Sequence, residues 1–318
     1  MISGNSTMVE YATKYLALRR GLGYQLRTQG VLLLDFARYA DETGHYGPIT
    51  IELATSWTML SKASPPSIAQ RLSVVRQFAR HRVAFDPLTE VPPAGLLGSP
   101  VRRKSPHIYT DREIAELLLV AGTLRPQGGL RSKTYIVLFS LLASTGLRIS
   151  ECRHLTHQDV DLDAGLLIIR ETKFRKTRLV PLHLSAVTAL RCYVDTRNSY
   201  LDTAPSEFFF RTDHAGSLRK SAVEATFGYL RTRLGWIGQG HVRRPRIHDL
   251  RHTFAVRRLV RWYEEGADID KKIFALSTYL GHAKISDTYW YLSAVPELLA
   301  ITSRRFEHFA QQEWEDVQ

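Results

Sequence analysis

Cysteine is scarce in this 318-residue chain: Cys152 and Cys192 are the two present. Neither lies in a CxxC pair or near residues that would complete a zinc set, which argues against a disulfide framework and fits a reducing cytoplasm. No run of about 18 apolar residues occurs, and no apolar stretch follows a basic start at the N-terminus. The sequence therefore predicts neither a membrane span nor export. A GxxxxGK[ST] loop is missing, so nothing points to nucleotide hydrolysis. Internal repeats and low-complexity tracts are lacking too. Acidic residues are the minority, 31 Asp and Glu against 43 Lys and Arg, for a formal net charge of +12. That balance favours a polyanionic partner, nucleic acid ahead of an anionic membrane. Residues 1–107 and 108–318 each carry +6, so both parts are candidates for contact with it. A solvated basic surface that binds nothing in particular is the plainer reading, and composition leaves both open.

At 44% hydrophobic the chain can bury real cores, and its length suggests about two domains. Helical spacing of apolar residues runs through "VEYATKYLALRRGLGY", "TQGVLLLDFARYADETG", "IELATSWTMLSK" and "PPSIAQRLSVVRQFARHRVAF". Pro65 and Pro66 suit a helix start. Arg71, Arg76, Arg80 and Arg82 decorate the last of these helices. They either grip a duplex or form the wet face of a small bundle. Residues 86–107 are rich in Pro and Gly and contain Arg102, Arg103 and Lys104. "TDRE", Thr110 to Glu113, then reads as a capping box that opens a new domain. The expected organisation is a helical domain over residues 1–90, a linker over 91–107 and a second domain over 108–318.

In the second part, "KTYIVLFSLLAS" is apolar nearly all round and reads as a core helix, broken by Thr145 and Gly146. "LRISECRHL" reads as another helix and "GLLIIRETKFRKTRLVPLH" as a β-hairpin. "FFF" at 208–210 is a candidate strand. Helices are expected at 217–234, 247–263, 269–280, 286–293 and 296–309. The fold class is mainly α with a small β-sheet.

Four stretches carry chemistry. Arg148 and Glu151 share a helix face, where a surface ion pair is the commoner explanation. A cation at a helix N-terminus opposes the dipole, however, and is best tolerated beside a carboxylate with an anion ahead of it. Lys173, Arg175, Lys176 and Arg178 crowd the hairpin turn, which is either a solvated tip or an element that enters a DNA groove. In "HDLRHTF", His248, Arg251 and His252 fall on one face. The His spacing suits zinc, but the glutamate of that motif is absent and Arg251 would repel a cation. An anion suits the set better, because guanidinium binds phosphate oxygens as a fork. In "LGHAKISDTYWYLS", His282 stands nine residues before Tyr291, with Tyr289 and Trp290 beside it. Alone, "YWY" would pass for an aromatic core helix.

Taken together, "TGLRISE", a hairpin lysine before "RLVPL", "HDLRHTF", "LGH" and the tyrosine nine residues later resemble the tyrosine recombinase (phage integrase) family, in family order and spacing. The match covers roughly residues 108–309. The N-terminal part resembles the family's helical core-binding domain more loosely, and the rest its α+β catalytic domain. The resemblance implies that Arg148 and Arg251 clamp the non-bridging oxygens of a scissile phosphate. It implies that Lys173 protonates the leaving 5′ oxygen, that His248 and His282 complete the pocket, and that Tyr291 is the nucleophile. Glu151 stands where the family orients its first arginine. His252 is not one of the family's pocket positions and is expected to pack or hydrogen-bond behind them. Cys152 stands where Leu is common, and the segment after Tyr291 looks more like that of integrases carried by transposons, which points to mobile elements and transposition.

Chemically, cations aimed at the equatorial oxygens stabilise the transition state more than the ground state. Two arginines do this without a metal, so neither metal nor cofactor is implied. A crowded cationic turn lowers a lysine pKa and suits it to donate a proton. The implied function is site-specific recombination of double-stranded DNA through a 3′-phosphotyrosyl intermediate, by a tetramer on paired sites that is a monomer when free. Partner recombinases, a cytoplasmic, nucleoid-associated location and no membrane contact complete the expectation. Further DNA contacts are expected from Arg71, Arg76, Arg80, Arg102, Arg103, Lys104, Arg175 and Lys176. The alternatives are DNA relaxation of the type IB topoisomerase kind and a catalytically silent DNA-binding accessory protein.

Overall fold

The computed structural model describes residues 7–98, 105–170, 177–200, 206–212, 217–238 and 244–294. The chain divides into two compact units, Met1–Arg103 and Lys104–Gln318. Among the described residues no helix is long and apolar enough to cross a membrane.

Among the described residues the first unit holds four helices: α1 (Met8–Gly21), α2 (Arg27–Glu42), α3 (Ile51–Met59) and α4 (Pro65–Arg82). The Thr7 side chain caps α1 by accepting from the Glu10 N–H. Asp41, near the end of α2, takes the two N–H groups of Met8 and Val9 at 2.7 and 3.1 Å. The carboxylate thus satisfies orphan donors where the helix dipole is positive. Phe36, Trp57, Phe78, Leu33 and Val75 fill the core, with Phe36 and Trp57 edge to face at 5.4 Å. After α4 the chain returns to this unit. Glu90 donates its N–H to the Ile49 carbonyl and accepts the Ile51 N–H at 2.6 Å. Val91 and Leu97 pack on the same core. Residues expected to begin a linker at 91 therefore start inside the first unit, because these apolar side chains find a surface to bury against.

The second unit is built on α6 (Leu130–Thr145), which has α5 (Asp111–Ala121), α8 (Leu184–Tyr200) and α10 (Ile247–Glu264) packed around it. Its all-round apolar pattern follows from that position: Leu138, Phe139, Leu141 and Leu142 are all buried. The Thr110–Glu113 capping box forms at α5 as read from sequence. A three-stranded antiparallel sheet runs in the order β1 (Val160–Asp161), β2 (Leu166–Ile169) and β3 (Arg178–Pro181). Leu167 pairs with Val180 and Ile169 with Arg178, with Leu167, Ile169 and Val180 facing the core. The hairpin tip at 171–176 lies outside the described residues. Phe208 makes an isolated bridge to Thr156 in place of a full strand. Phe209 and Phe210 are buried in the core, which accounts for the apolar run.

The remaining helices are α7 (Ile149–Arg153), α9 (Lys220–Arg233), α11 (Ile269–Leu280) and α12 (Ser286–Ala294). The helix expected at 296–309 lies outside the described residues. Helix α8 was not expected, since its four buried positions, Val187, Leu190, Tyr193 and Arg197, are spread over seventeen residues of mixed polarity.

Gly146 ends α6 in the left-handed region, at φ 64°, and turns the chain into α7. A Cβ there would lie 2.6 Å from Phe254 Cδ1. Left-handed strain and overpacking then add. We expect Gly146→Ala to lower the unfolding free energy by about 2–4 kcal/mol. Urea melts would show it, and an unchanged midpoint would remove this turn from the determinants of the fold.

Candidate active site

Three successive carbonyls at the end of α11 gather three arginines. Arg178 donates Nε to the Tyr279 carbonyl at 2.7 Å. Arg251 donates Nη2 to Leu280 at 2.6 Å, and Arg148 reaches the same oxygen with Nη1 at 3.4 Å. Arg148 Nη2 donates to Gly281 at 2.8 Å. The last carbonyls of a helix lack intrahelical partners and carry the negative end of its dipole, so they are natural seats for cations. Gly281, at φ 66°, closes α11, and the His282 N–H returns to the Ser277 carbonyl at 3.0 Å. The "LGH" stretch thus shapes the seat and sets His282 beside it.

Arg148 is the N-cap residue of α7. Its backbone N–H donates to Glu151 Oε2 at 2.9 Å and its Nη1 to Oε1 at 2.8 Å. One carboxylate therefore caps the helix and offsets the charge that opposes its dipole. Burial would raise the Glu151 pKa, but hydrogen bonds and charge from Arg178, then Arg148, bring it down to about 2. Arg251 is almost fully buried in α10 and donates Nη1 to the Gly146 carbonyl at 2.8 Å. Burial, then the neighbouring Arg148, lowers its pKa to about 10, so it stays charged at neutral pH. A guanidinium carries five N–H donors. Two carbonyl contacts leave Arg251 donors for an anion.

The α12 helix brings Tyr291 under this seat and turns Tyr289 outward. Tyr291 is 2% exposed and Tyr289 is 40% exposed, with its hydroxyl toward Asp270 at 3.5 Å. Two residues apart on a helix means about 200° of rotation, so the two rings face opposite ways. The Tyr291 hydroxyl lies 2.9 Å from His252 Nδ1. His282 stacks toward the same ring at 6.4 Å, and its Nδ1 is fixed by Thr288 Oγ1 at 2.6 Å. His248 packs edge-on to His252 at 4.7 Å and remains exposed. His252, expected behind the pocket residues, instead touches the tyrosine oxygen, because i, i+4 spacing sets it beside His248 on the α12 side of α10.

All three imidazoles are held neutral. Burial first, then cationic or imidazole neighbours, lowers His248 to about 4 and His252 and His282 to about 3. For His248, which is exposed by area yet ringed by protein, the charges of Arg251 and Arg246 supply a second cause for the same direction.

Sequence reasoning passed over two residues. Arg178 was counted with the hairpin tip, yet it opens β3, and its Nη1 and Nη2 take both oxygens of Glu151 at 3.0 and 2.8 Å. Alternation along the strand, Arg178 with buried Val180, carried that signal. Thr288 is fully buried three residues before Tyr291 and had no distinguishing mark. Lys173, Arg175, Lys176, Arg102, Arg103 and Lys104 lie outside the described residues. In the first unit, Arg71 lies over Trp57 and pairs with Asp35 at 3.2 Å, Arg76 meets Ser73 at 3.3 Å, and Arg80 is exposed.

The profile of the phage integrase family matches residues 109–297, more than half of the chain. The chain belongs to the tyrosine recombinase (phage integrase) family. A putative integrase/recombinase, y4rB of Sinorhizobium fredii, is 42% identical over 98% of this chain and 99% of its own length. Tyrosine recombinase XerC of Pelobacter propionicus is 31% identical over 75% of this chain and 71% of its own. Among solved structures, the Tn1549 transposon integrase in complex with transposon right end DNA aligns with a TM-score of 0.68 at 16% identity. The alignment covers 96% of this chain and 100% of that one. At that identity the likeness shows the fold. As a family member the protein is a site-specific recombinase, an enzyme of DNA strand breakage and rejoining.

The histidine shifts have a consequence for stability. The folded state refuses protons that the unfolded chain binds between about pH 6.5 and pH 3. Unfolding free energy should therefore fall as pH drops through that window. Urea melts at pH 7 and pH 5 should show a larger loss for the wild type than for His252→Gln. Equal losses would mean that His252 titrates as freely as in the unfolded chain.

Proposed function

We propose that Tyr291 attacks the scissile phosphodiester of a duplex site, with Arg148 and Arg251 on the non-bridging oxygens and Lys173 donating to the leaving 5′ oxygen. The observation that carries this is the meeting of Arg148 and Arg251 at the Leu280 carbonyl while α12 buries the Tyr291 hydroxyl among His252 and His282. The bond between phosphorus and the 5′ oxygen breaks as the bond to the phenolic oxygen forms. The phenolic proton passes to an imidazole, and a lysine proton goes to the leaving oxygen. A neutral imidazole is the form that can accept, and the lowered histidine pKa values keep that form at neutral pH. The aryl ester conserves the energy of the broken bond, so a 5′-hydroxyl from a second duplex can reseal the strand without a nucleotide.

Two fixed guanidinium groups in a partly buried seat act where charge builds on the equatorial oxygens, and their carbonyl contacts hold them in place before substrate arrives. Glu151 and Thr288 hold Arg148 and His282 by direct contact. Lys173 enters from the resemblance, at the hairpin that β2 and β3 form. The first unit, with exposed Arg80 on α4, would bind the flank of the site, and Arg102, Arg103, Lys104, Arg175 and Lys176 would contribute phosphate contacts. Strand exchange between two duplexes calls for four such sites, hence a tetramer on paired sites with a monomer free in the nucleoid, alone or with partner recombinases. The resemblance of the segment after Tyr291 favours integration or transposition of a mobile element.

A nicked duplex that loses its short cleaved fragment traps the covalent complex. Random duplexes bearing such nicks, selected by capture with the wild type, would give both the site and the assay. Tyr291→Phe should bind the selected duplex within about threefold of wild type and capture none, a loss of at least roughly a thousandfold. Tyr289→Phe should capture at the wild-type rate. Capture by the Tyr291 variant, or a phosphotyrosyl peptide mapped to Tyr289, would overturn the assignment. Relaxation of supercoiled DNA lacking paired sites, with no strand exchange, would favour the topoisomerase-like reading.

A further inference from the structure

We propose that Arg178 is a positioning residue for the cleavage step: it locks the Glu151 carboxylate that aims Arg148 and ties strand β3 to the end of α11. This deepens the reading of Arg148 as a phosphate-binding group and rests on it.

The geometry singles Arg178 out. Its Nη1 and Nη2 take the two oxygens of Glu151 at 3.0 and 2.8 Å, a fork that fixes the plane of the carboxylate. Its Nε is spent on the Tyr279 carbonyl at 2.7 Å, so the guanidinium is held on two sides. Its side chain is 10% exposed and that of Glu151 is 7% exposed. Arg148, at 29%, is the open member of the three. That gradient suits a chain of command in which the buried arginine fixes the carboxylate and the exposed one meets the substrate. Gly281 leaves room for the arrangement, because a Cβ there would come within 2.9 Å of Arg178 Nη1.

With the Arg148 pair alone, Glu151 would be a buried carboxylate with one partner that can swing about an i, i+3 spacing. Arg178 removes that freedom. It also governs protonation. The groups that face Glu151 are Arg178 from β3, Arg148 from the α7 cap, Arg251 from α10 and the adjoining Cys152 thiol. Burial works against the carboxylate, and Arg178 supplies the largest opposing influence. Removing Arg178 should raise the Glu151 pKa, so that the carboxylate protonates within the working range and releases Arg148 as pH falls.

Single-turnover capture on the selected nicked duplex, with protein in excess, tests this from pH 5.5 to 8.5. DNA affinity is read separately by fluorescence anisotropy. Arg178→Gln should slow capture about tenfold to a hundredfold at neutral pH with affinity within about threefold. It should also add a fall in rate toward acid that the wild type lacks. In the Glu151→Gln background the same substitution should add no acid limb and cost little more. Arg178→Lys, which keeps a charge near Glu151 but not the fork, should give an intermediate rate and a weaker limb, and it serves if the Gln variant unfolds. A wild-type rate in Arg178→Gln, or a loss independent of pH and undiminished by Glu151→Gln, would overturn the proposal. Undiminished capture by Arg148→Ala would instead overturn the role of Arg148, and this proposal with it.

Discussion

The end of α11 is the contact on which the site depends. Tyr279, Leu280 and Gly281 offer three carbonyls in a row, and Arg178, Arg251 and Arg148 occupy them. Three guanidinium groups would otherwise repel one another across a small space. Orphan carbonyls at the negative end of a helix, with Glu151 between two of the three, provide the compensation. The same contacts draw α7 and β3 onto the distant α10–α11 pair. The site and the packing of its unit are thus one arrangement, and a change in the α11 cap would be felt by every cation in it.

Charge is allotted with some economy. Arg251 is nearly fully buried yet stays protonated, because Gly146 and Leu280 accept from it. The histidines take the opposite state. By burial first and then by their cationic neighbours, His248, His252 and His282 are kept neutral, which avoids adding cations to a crowded basin and leaves imidazoles able to accept a proton. Had the imidazoles been charged, the basin would attract phosphate more strongly and activate a phenol less. The balance observed serves chemistry more than raw affinity, as expected where the transition state must be favoured over the ground state.

Much of this was legible in the sequence, for identifiable reasons. Helical periodicity located most elements, and the Thr145–Gly146 break was visible because glycine ends a helix where φ must be positive. Five short stretches in order pointed to Arg148, Glu151, Lys173, His248, Arg251, His282 and Tyr291; Lys173 lies outside the described residues, and the structure places the other six in the second unit, around the α11 end and α12. What escaped was set by tertiary contact. Helix α8 hides because few of its residues are buried. His252 looked like a supporting residue, since nothing local says that its ring meets a tyrosine from another helix. Arg178 was grouped with the cations of the hairpin turn, although its two-residue alternation with Val180 already turned it inward. Val91 and Leu97 were assigned to a linker on composition, and they belong to a core that composition cannot show.

The placement of Tyr291 bears on how its reactivity is controlled. Its ring belongs to an apolar cluster with Ala255, Val256, Leu259, Leu276 and Leu280, while its hydroxyl emerges on the polar side at His252. An aromatic ring packed on one side and hydrogen-bonded at its tip has little rotational freedom. Tyr291, the proposed nucleophile, is therefore held on the same α10–α11 framework that seats the arginines, since Leu280 gives its side chain to the tyrosine cluster and its carbonyl to Arg251 and Arg148. One residue thus sets the relation between the Tyr291 oxygen and the arginines proposed to bind phosphate. Rigid coupling of that kind is what an in-line displacement needs, because small errors between attacking atom and phosphorus are costly.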